Sequence, residues 1–279
     1  MSNIEWTDVT DNIIAVEGGG WWCQKISAGC DKCYAESINK LRGNQLPYTG
    51  TAPKLILRES LMESWKNQVK SKKHFVASMT DVFGAWVEKD WSYKMLNAMY
   101  LADKQIFQVL TKRPDIMRDR CLEWLKSWDL PAMPSNIWLG STVENKHALH
   151  RAFTLCQIPV AVRFLSCEPL LEDLGHINLE GIGWVIVGGE SGFGARPCNL
   201  DWLHNIVSQC RHQNVAVFVK QLGTRAVMTH KKLPVASGLK TFVEEELDYQ
   251  FPTKDRKGGD IEEFPSYLKL RQFPNEEND

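Results

Sequence analysis

Short apolar runs recur along the chain, each followed by polar residues and most by a helical stretch. His74-Phe75-Val76-Ala77-Ser78, Phe107-Gln108-Val109-Leu110-Thr111 and Ile137-Trp138-Leu139-Gly140-Ser141 are the first three. Val162-Arg163-Phe164-Leu165-Ser166, Trp184-Val185-Ile186-Val187-Gly188 and Ala216-Val217-Phe218-Val219-Lys220 complete the series, and Ile13-Ile14-Ala15-Val16 is an earlier candidate. Rich in β-branched and aromatic residues, such runs suit strands buried on both faces. Between them, helical spacing predicts helices over 89–104, 114–128, 145–156 and 201–212. Pro114 stands at a favoured first helical position and Asp201 is a plausible N-cap. Strand–helix alternation of this period predicts a parallel sheet with right-handed crossovers. The expected fold is α/β, a TIM-like (β/α) barrel, complete or partial, with a doubly wound open sheet as the structural alternative. The rhythm holds over 1–223. Residues 224–279, with several prolines, Lys257-Gly258-Gly259-Asp260 and an acidic end, read as an irregular extension packed on the barrel rather than a second domain.

In parallel barrels chemistry gathers at the C-terminal ends of the strands. Here those ends read Ser78-Met79-Thr80-Asp81, Thr111-Lys112-Arg113-Pro114, Ser141-Thr142-Val143-Glu144, Ser166-Cys167-Glu168-Pro169, Gly188-Gly189-Glu190-Ser191 and Lys220-Gln221. Convergence on one mouth would give a site for a polar cofactor bearing a carboxylate, an amine and a ribose. The candidates are Ser78, Asp81, Thr111, Lys112, Arg113, Glu144, Ser166, Glu168, Gly188, Gly189, Glu190 and Lys220. The bland alternative is that strand-to-helix loops are polar and supply helix caps. Gly188 and Gly189 either allow a tight turn or let a ligand approach the backbone. The segment is not a P-loop, since no Gly-Lys-Ser/Thr follows.

Composition narrows the picture. With 279 residues, 43% hydrophobic and 24% charged, the chain has material for a packed core. A formal net charge of -1 gives no support to a globally basic nucleic-acid binder. The amino end shows no basic region followed by an apolar run, and no stretch is apolar enough to span a membrane, so a cytoplasmic setting with reduced thiols is expected. Of the 8 cysteines, Cys121, Cys156, Cys167, Cys198 and Cys210 are scattered among strand and helix patterns and read as small buried hydrophobes.

Cys23, Cys30 and Cys33 are different. They lie in Trp22-Cys23-Gln24-Lys25-Ile26-Ser27-Ala28-Gly29-Cys30-Asp31-Lys32-Cys33-Tyr34, and a helix over 34–41 can present its N-terminal amides to thiolate or cluster charge. Three thiolates suit two metals. With a fourth ligand they make a structural zinc site, for which His74 and Cys198 are distant candidates. Without one they suit a four-iron, four-sulfur (4Fe-4S) cluster whose open iron binds a small molecule such as S-adenosylmethionine. The polar strand ends favour the cluster.

At this point the chain resembles the phage-associated three-cysteine proteins of unknown function, thought to be distant relatives of radical S-adenosylmethionine enzymes. The resemblance rests on Ser27-x-Gly29-Cys30-x-x-Cys33-Tyr34-Ala35-Glu36, Ser78-Met79-Thr80-Asp81-x-Phe83, Leu110-Thr111-Lys112-Arg113-Pro114 and Phe164-Leu165-Ser166-x-Glu168-Pro169. It continues through Gly188-Gly189-Glu190-Ser191-Gly192, Ala195-Arg196-Pro197, Lys220-Gln221-x-Gly223 and Lys257-Gly258-Gly259-Asp260. It implies a barrel, a cluster on Cys23, Cys30 and Cys33, S-adenosylmethionine as cofactor, an electron donor, and a nucleic acid or nucleotide as substrate. Common radical enzymes place their Gly-Gly-Glu early in the barrel. Here it comes late, so its amine-binding role is not carried over. Two further readings stay open. One is a zinc-stabilised nucleic-acid-binding protein, for which the basic run over 66–74 and the 11 tryptophans speak. The other is a metal-dependent hydrolase using Asp81, Glu144, Glu168 and Glu190.

Overall fold

The computed structural model describes residues 4–231 and 246–274. Its strands and helices, in chain order, begin β1 (Val9–Asp11), β2 (Ile14–Val16), α1 (Tyr34–Arg42), β3 (Leu55–Leu57), α2 (Glu59–Trp65), β4 (Lys73–Val76), α3 (Lys89–Leu101), β5 (Ile106–Thr111) and α4 (Pro114–Trp128). They continue β6 (Ile137–Thr142), α5 (His150–Leu155), β7 (Val162–Cys167), β8 (Trp184–Gly188), β9 (Cys198–Asn199), α6 (Leu200–His212), β10 (Ala216–Gln221), β11 (Ala226–Lys231) and β12 (Glu246–Gln250).

Seven strands form one parallel sheet in the order β1-β4-β5-β6-β7-β8-β10. Spatial order follows chain order without reversal, which is the winding of a barrel and excludes the doubly wound alternative. The sheet curls into a half-barrel flanked by helices, and β1 and β10 do not pair with each other. One sequence expectation is corrected. Ile14–Val16 is not a barrel strand but pairs antiparallel with β3 as a separate ribbon, and the first barrel strand is Val9–Asp11. The run Val9-Thr10-Asp11 was hard to see because its register with His74-Phe75-Val76 exposes polar atoms to specific partners rather than presenting an apolar face. Asp11 Oδ2, for example, accepts from Trp65 Nε1 at 2.8 Å.

Residues alternate across the sheet. Phe107, Val109, Leu139, Leu165, Val185, Val187 and Val217 join Met95, Leu96, Met117, Leu203 and Ile206 of the helices in the larger core. The other face carries Phe75, Trp138, Phe164, Trp184, Ile186 and Phe218, gathered with Trp6 into an aromatic interior. Residues 270–273 run antiparallel beside β10, with Val219 N donating to Leu270 O at 2.8 Å and Gln272 N to Val217 O at 3.0 Å. An otherwise bare edge strand is thereby covered. Phe273 reaches the foot of the interior, 5.4 Å from the Trp184 ring. The rest of the extension includes a small sheet, β12-β11-β9, and its acidic terminus lies outside the described residues.

Helix ends depart slightly from expectation. The N-cap of α6 is Asn199, whose side chain accepts from Asp201 N, so Asp201 is in the first turn rather than the cap. The 145–156 segment is a 3-10 turn capped by Asn145 and followed by the short α5. Among the described residues no helix is long and apolar enough to cross a membrane.

Candidate metal and cofactor site at the barrel mouth

The cysteine segment lies across the C-terminal ends of the strands and is tied to four of the following loops. Thr80 Oγ1, after β4, donates to Trp22 O at 2.6 Å, and Tyr34 OH donates to Ser78 O at 2.9 Å. Arg113, after β5, donates through Nη2 to Gln24 O at 3.0 Å. Glu144, after β6, lies against Gly29, where a Cβ would stand 3.1 Å from Oε1. After β8, Arg196 donates through Nη1 to Ala28 O at 2.8 Å, and Lys32 Nζ donates to Gly194 O. Gly29 is therefore required by contact: a side chain there would press on a buried carboxylate.

All three cysteines are free and partly exposed. Burial pushes the Cys23 thiol up to about 12, with the charges of Asp81 and Cys33 adding to it and Arg113 opposing. Cys33 is also raised by burial, although the amides of Glu36 and Ala35 at the start of α1 and the Lys112 charge work against the shift. Cys30 differs. Burial raises it, but Lys112, the amides of Ile26 and Ser27 and the Ser27 hydroxyl outweigh that and leave it lowered. Ser27 Oγ is 3.8 Å from Cys30 Sγ. The segment thus supplies donors and a nearby cation for bound thiolate charge. Among the described residues no three His, Cys, Asp or Glu side chains come together in a grouping suited to one metal ion.

Neither distant fourth ligand is available. His74 is fully buried, with Nδ1 2.6 Å from Asp11 Oδ2 and Nε2 3.2 Å from Gln105 Oε1. Cys198 is buried in the core beneath Gly189, whose Cβ would meet its Cβ at 2.8 Å. Cys121, Cys167 and Cys210 are buried as expected, whereas Cys156 is partly exposed.

The strand-end candidates divide into groups that are committed and groups that are not. Asp81 accepts from Thr111 Oγ1 at 2.8 and 2.9 Å, Arg113 Nη1 at 3.1 Å, Phe83 N at 3.0 Å and Lys112 N at 3.2 Å. Asp81, Thr111 and Arg113 therefore serve one another, and the Arg113 guanidinium also lies over the Trp86 ring at 4.4 Å. Glu190 is gripped by Arg196 through N at 2.9 Å, Nε at 3.0 Å and Nη2 at 2.5 Å. Burial raises its pKa, but the Arg196 side chain and amide hold it below the usual carboxylate range. Glu168 Oε1 faces Lys220 Nζ at 3.3 Å without forming a well-directed hydrogen bond, and Ser166 Oγ is 3.4 Å from Oε2. Ser78 Oγ reaches Asn12 Oδ1 at 3.4 Å. Gly188 and Gly189 have a structural explanation: a Cβ on Gly189 would meet Leu222 O at 2.3 Å, and one on Gly188 would meet Gln221 O at 3.0 Å. Gly223 and Gly258 continue this close backbone stack, which accounts for Lys257-Gly258-Gly259-Asp260.

Glu144 and Lys112 remain. Glu144 is fully buried, and Oε2 accepts from Arg151 Nη1 at 2.9 Å. Oε1 has no partner in good hydrogen-bond geometry among the described residues. Burial raises its pKa, yet Lys112, the Ser27 hydroxyl and Arg151 hold it below the usual range. Lys112 is half-buried and its ammonium makes no hydrogen bond or ion pair among the described residues. Arg151 and Arg196, which neutralise two of the acids, were not site candidates from sequence. Only the short spacing from Glu190 to Arg196 signalled one of them.

A family model described as "protein of unknown function (DUF5131)" matches residues 1–252. The chain belongs to this family. No curated protein and no solved structure matches it. The matched span takes in every sheet of this DUF5131 protein, including the cysteine segment and all the strand ends that meet it.

Proposed function

We propose that this DUF5131 protein holds a four-iron, four-sulfur cluster on Cys23, Cys30 and Cys33 and works as a radical S-adenosylmethionine-type enzyme. The observation that carries the reading is the cysteine segment seated on the strand ends with both distant fourth donors committed elsewhere. Three sulfurs without a fourth suit a cluster with one open iron better than tetrahedral zinc, whose Zn–S bonds of about 2.3 Å draw four donors close together. When bound and reduced, such a cluster cleaves S-adenosylmethionine to methionine and a 5′-deoxyadenosyl radical that abstracts hydrogen from substrate. The chain's own residues supply the setting. Lys112 and the amides that begin α1 offset thiolate charge. Thr80, Arg113 and Arg196 hold the segment in place. Glu168 with Lys220, and Lys112, line the polar mouth toward substrate. A hydrolytic divalent-ion site draws little support, because Asp81, Glu144, Glu168 and Glu190 each face a separate cation. A nucleic acid or nucleotide stays the substrate class suggested by the family resemblance, and an electron donor is required.

Anaerobic reconstitution with iron and sulfide, followed by paramagnetic resonance of the reduced protein with and without S-adenosylmethionine, is the test. A cluster signal that changes on adding the cofactor supports the reading. A colourless preparation, or stoichiometric zinc that survives both aerobic and anaerobic purification, overturns it.

A further inference from the structure

The candidate groups at the mouth were sorted above by whether their charge is already answered. Every acid but one faces a strong donor with each usable oxygen or with a paired cation, and every cation but one has an acceptor. The exceptions are Glu144 Oε1 and the Lys112 ammonium. They lie in one neighbourhood: the Lys112 charge bears on Glu144, Cys30 and Cys33 alike. A buried carboxylate oxygen without a donor is costly to leave, and a donor is expected to serve it.

We propose that Glu144 and Lys112 form a subsite for the headgroup of an α-amino acid, with Glu144 Oε1 taking the ammonium and Lys112 the carboxylate. The assignment deepens the cofactor reading given above, since S-adenosylmethionine carries such a headgroup, and free methionine is the other source of the same chemistry. Three features favour it. Glu144 is held rigidly, because Arg151 fixes Oε2 and leaves Oε1 pointed away from that pair. Only main chain covers Oε1, at Gly29, so a small shift of the cysteine segment uncovers it toward the mouth. Lys112 is tethered by its amide to Asp81 Oδ2 at 3.2 Å, which places its stem at the β5 end while the ammonium stays unpaired. A headgroup with both charges matches two opposite charges, whereas a simple anion or a simple amine would leave one unanswered.

The test compares ligands that lack one charge with variants that lack its partner. Calorimetry on the iron-loaded protein would measure S-adenosylmethionine, its decarboxylated analogue, 5′-methylthioadenosine and L-methionine. In Glu144→Gln, Arg151 keeps the amide oxygen and turns the amide nitrogen toward the ligand. Weakening of about tenfold is expected for S-adenosylmethionine and for its decarboxylated analogue, which keeps the amine, with no change for 5′-methylthioadenosine. Lys112→Met should weaken S-adenosylmethionine by a similar factor and spare the decarboxylated analogue, and Lys112→Arg should restore most of the loss. Lys112 is half-exposed and unpaired, so its variants fold whether or not Glu144→Gln does. If both variants weaken all ligands equally, or none, the headgroup assignment is overturned while the cofactor reading stands. If the loaded protein binds L-methionine with the variant-matched losses but not S-adenosylmethionine, the assignment stands and the cofactor reading fails. If it binds none of the ligands, both fail.

Discussion

The two ends of the half-barrel are built from opposite materials. At the foot, Trp184 is fully buried, with ring centroids of Phe164, Trp138, Phe273 and Phe218 between 5.4 and 6.3 Å away. Its indole donates to Gln272 O at 2.9 Å, and Trp6 closes the group from 6.1 Å. At the mouth, buried groups are charged: Asp81, Arg113, Glu144, Arg151 and Glu190 are all largely shielded. The foot leaves one neutral indole N–H of Trp6 without a partner, whereas the mouth leaves carboxylate oxygens. Apolar contact stabilises wherever shapes fit, but buried charge stabilises little for its desolvation and is retained where chemistry uses it. The foot is thus where stability resides, and the mouth is where the chain accepts cost for function.

The largest expected effect lies at the foot. Trp184→Ala should destabilise by about 3–5 kcal/mol, read from urea unfolding, because it opens a cavity among four rings. Iron loading per folded molecule should stay unchanged. A loss of loading in folded Trp184→Ala would show that foot and mouth are not separable.

Next is Asp81→Asn at the mouth. It leaves the buried Arg113 without its counter-charge and should cost about 3 kcal/mol. Unlike the change at the foot, it should also lower iron loading, since Arg113 holds Gln24 O of the cysteine segment. Loading equal to the parent would remove Arg113 from the support of the site.

How far the sequence reveals each end follows the same division. The strands of the half-barrel were legible because burial on both faces leaves continuous apolar runs, and β5 to β8 and β10 fall where those runs are. The first barrel strand was not, since three polar-flanked residues carry no such pattern. The cysteine segment and the strand ends that touch it were legible by residue type. Which strand-end groups are free was not, because that depends on Arg151 and Arg196 arriving from positions whose charge has no periodic signature. Gly189 shows the same limit: only the close approach of Leu222 O identifies it as a packing residue.

A smaller effect comes from pH. Glu36, Glu144 and Glu190 are held below the usual carboxylate range against the effect of burial, Glu36 chiefly by Lys25, and each is nearly inaccessible in the folded chain. The unfolded chain then binds more protons in the acid range, so stability rises with pH there. This contribution is full above the unfolded value of about 4.3 and is lost as pH falls through the lower folded values. Glu190→Gln removes one such group. Its urea midpoint should therefore drop less between pH 6 and pH 3.5 (values chosen to bracket that range, about 4.3 lying between them) than the parent's. An equal drop would mean that the Arg196 clamp does not hold Glu190 ionised.

The smallest expected effect is the most telling about the mouth. Gly29→Ala adds one methyl group where Glu144 stands 3.1 Å from the new carbon, tight but not closed. The Glu144 side chain is pinned by Arg151, so the cysteine segment must yield instead. Overpacking by one carbon at a partly exposed loop should cost about 1 kcal/mol. The consequence for the site should be larger than the consequence for the fold, because Cys30 follows directly and its sulfur must move with the backbone. Iron bound per chain should fall while the urea midpoint shifts little. Combining Gly29→Ala with Glu144→Ala makes room for the methyl group and should restore loading, since the two changes act through one contact and are not additive. If the double variant loads no better than Gly29→Ala alone, the contact between Gly29 and Glu144 does not position the cysteines, and the mouth is less tightly coupled to its buried charges than the foot is to its rings.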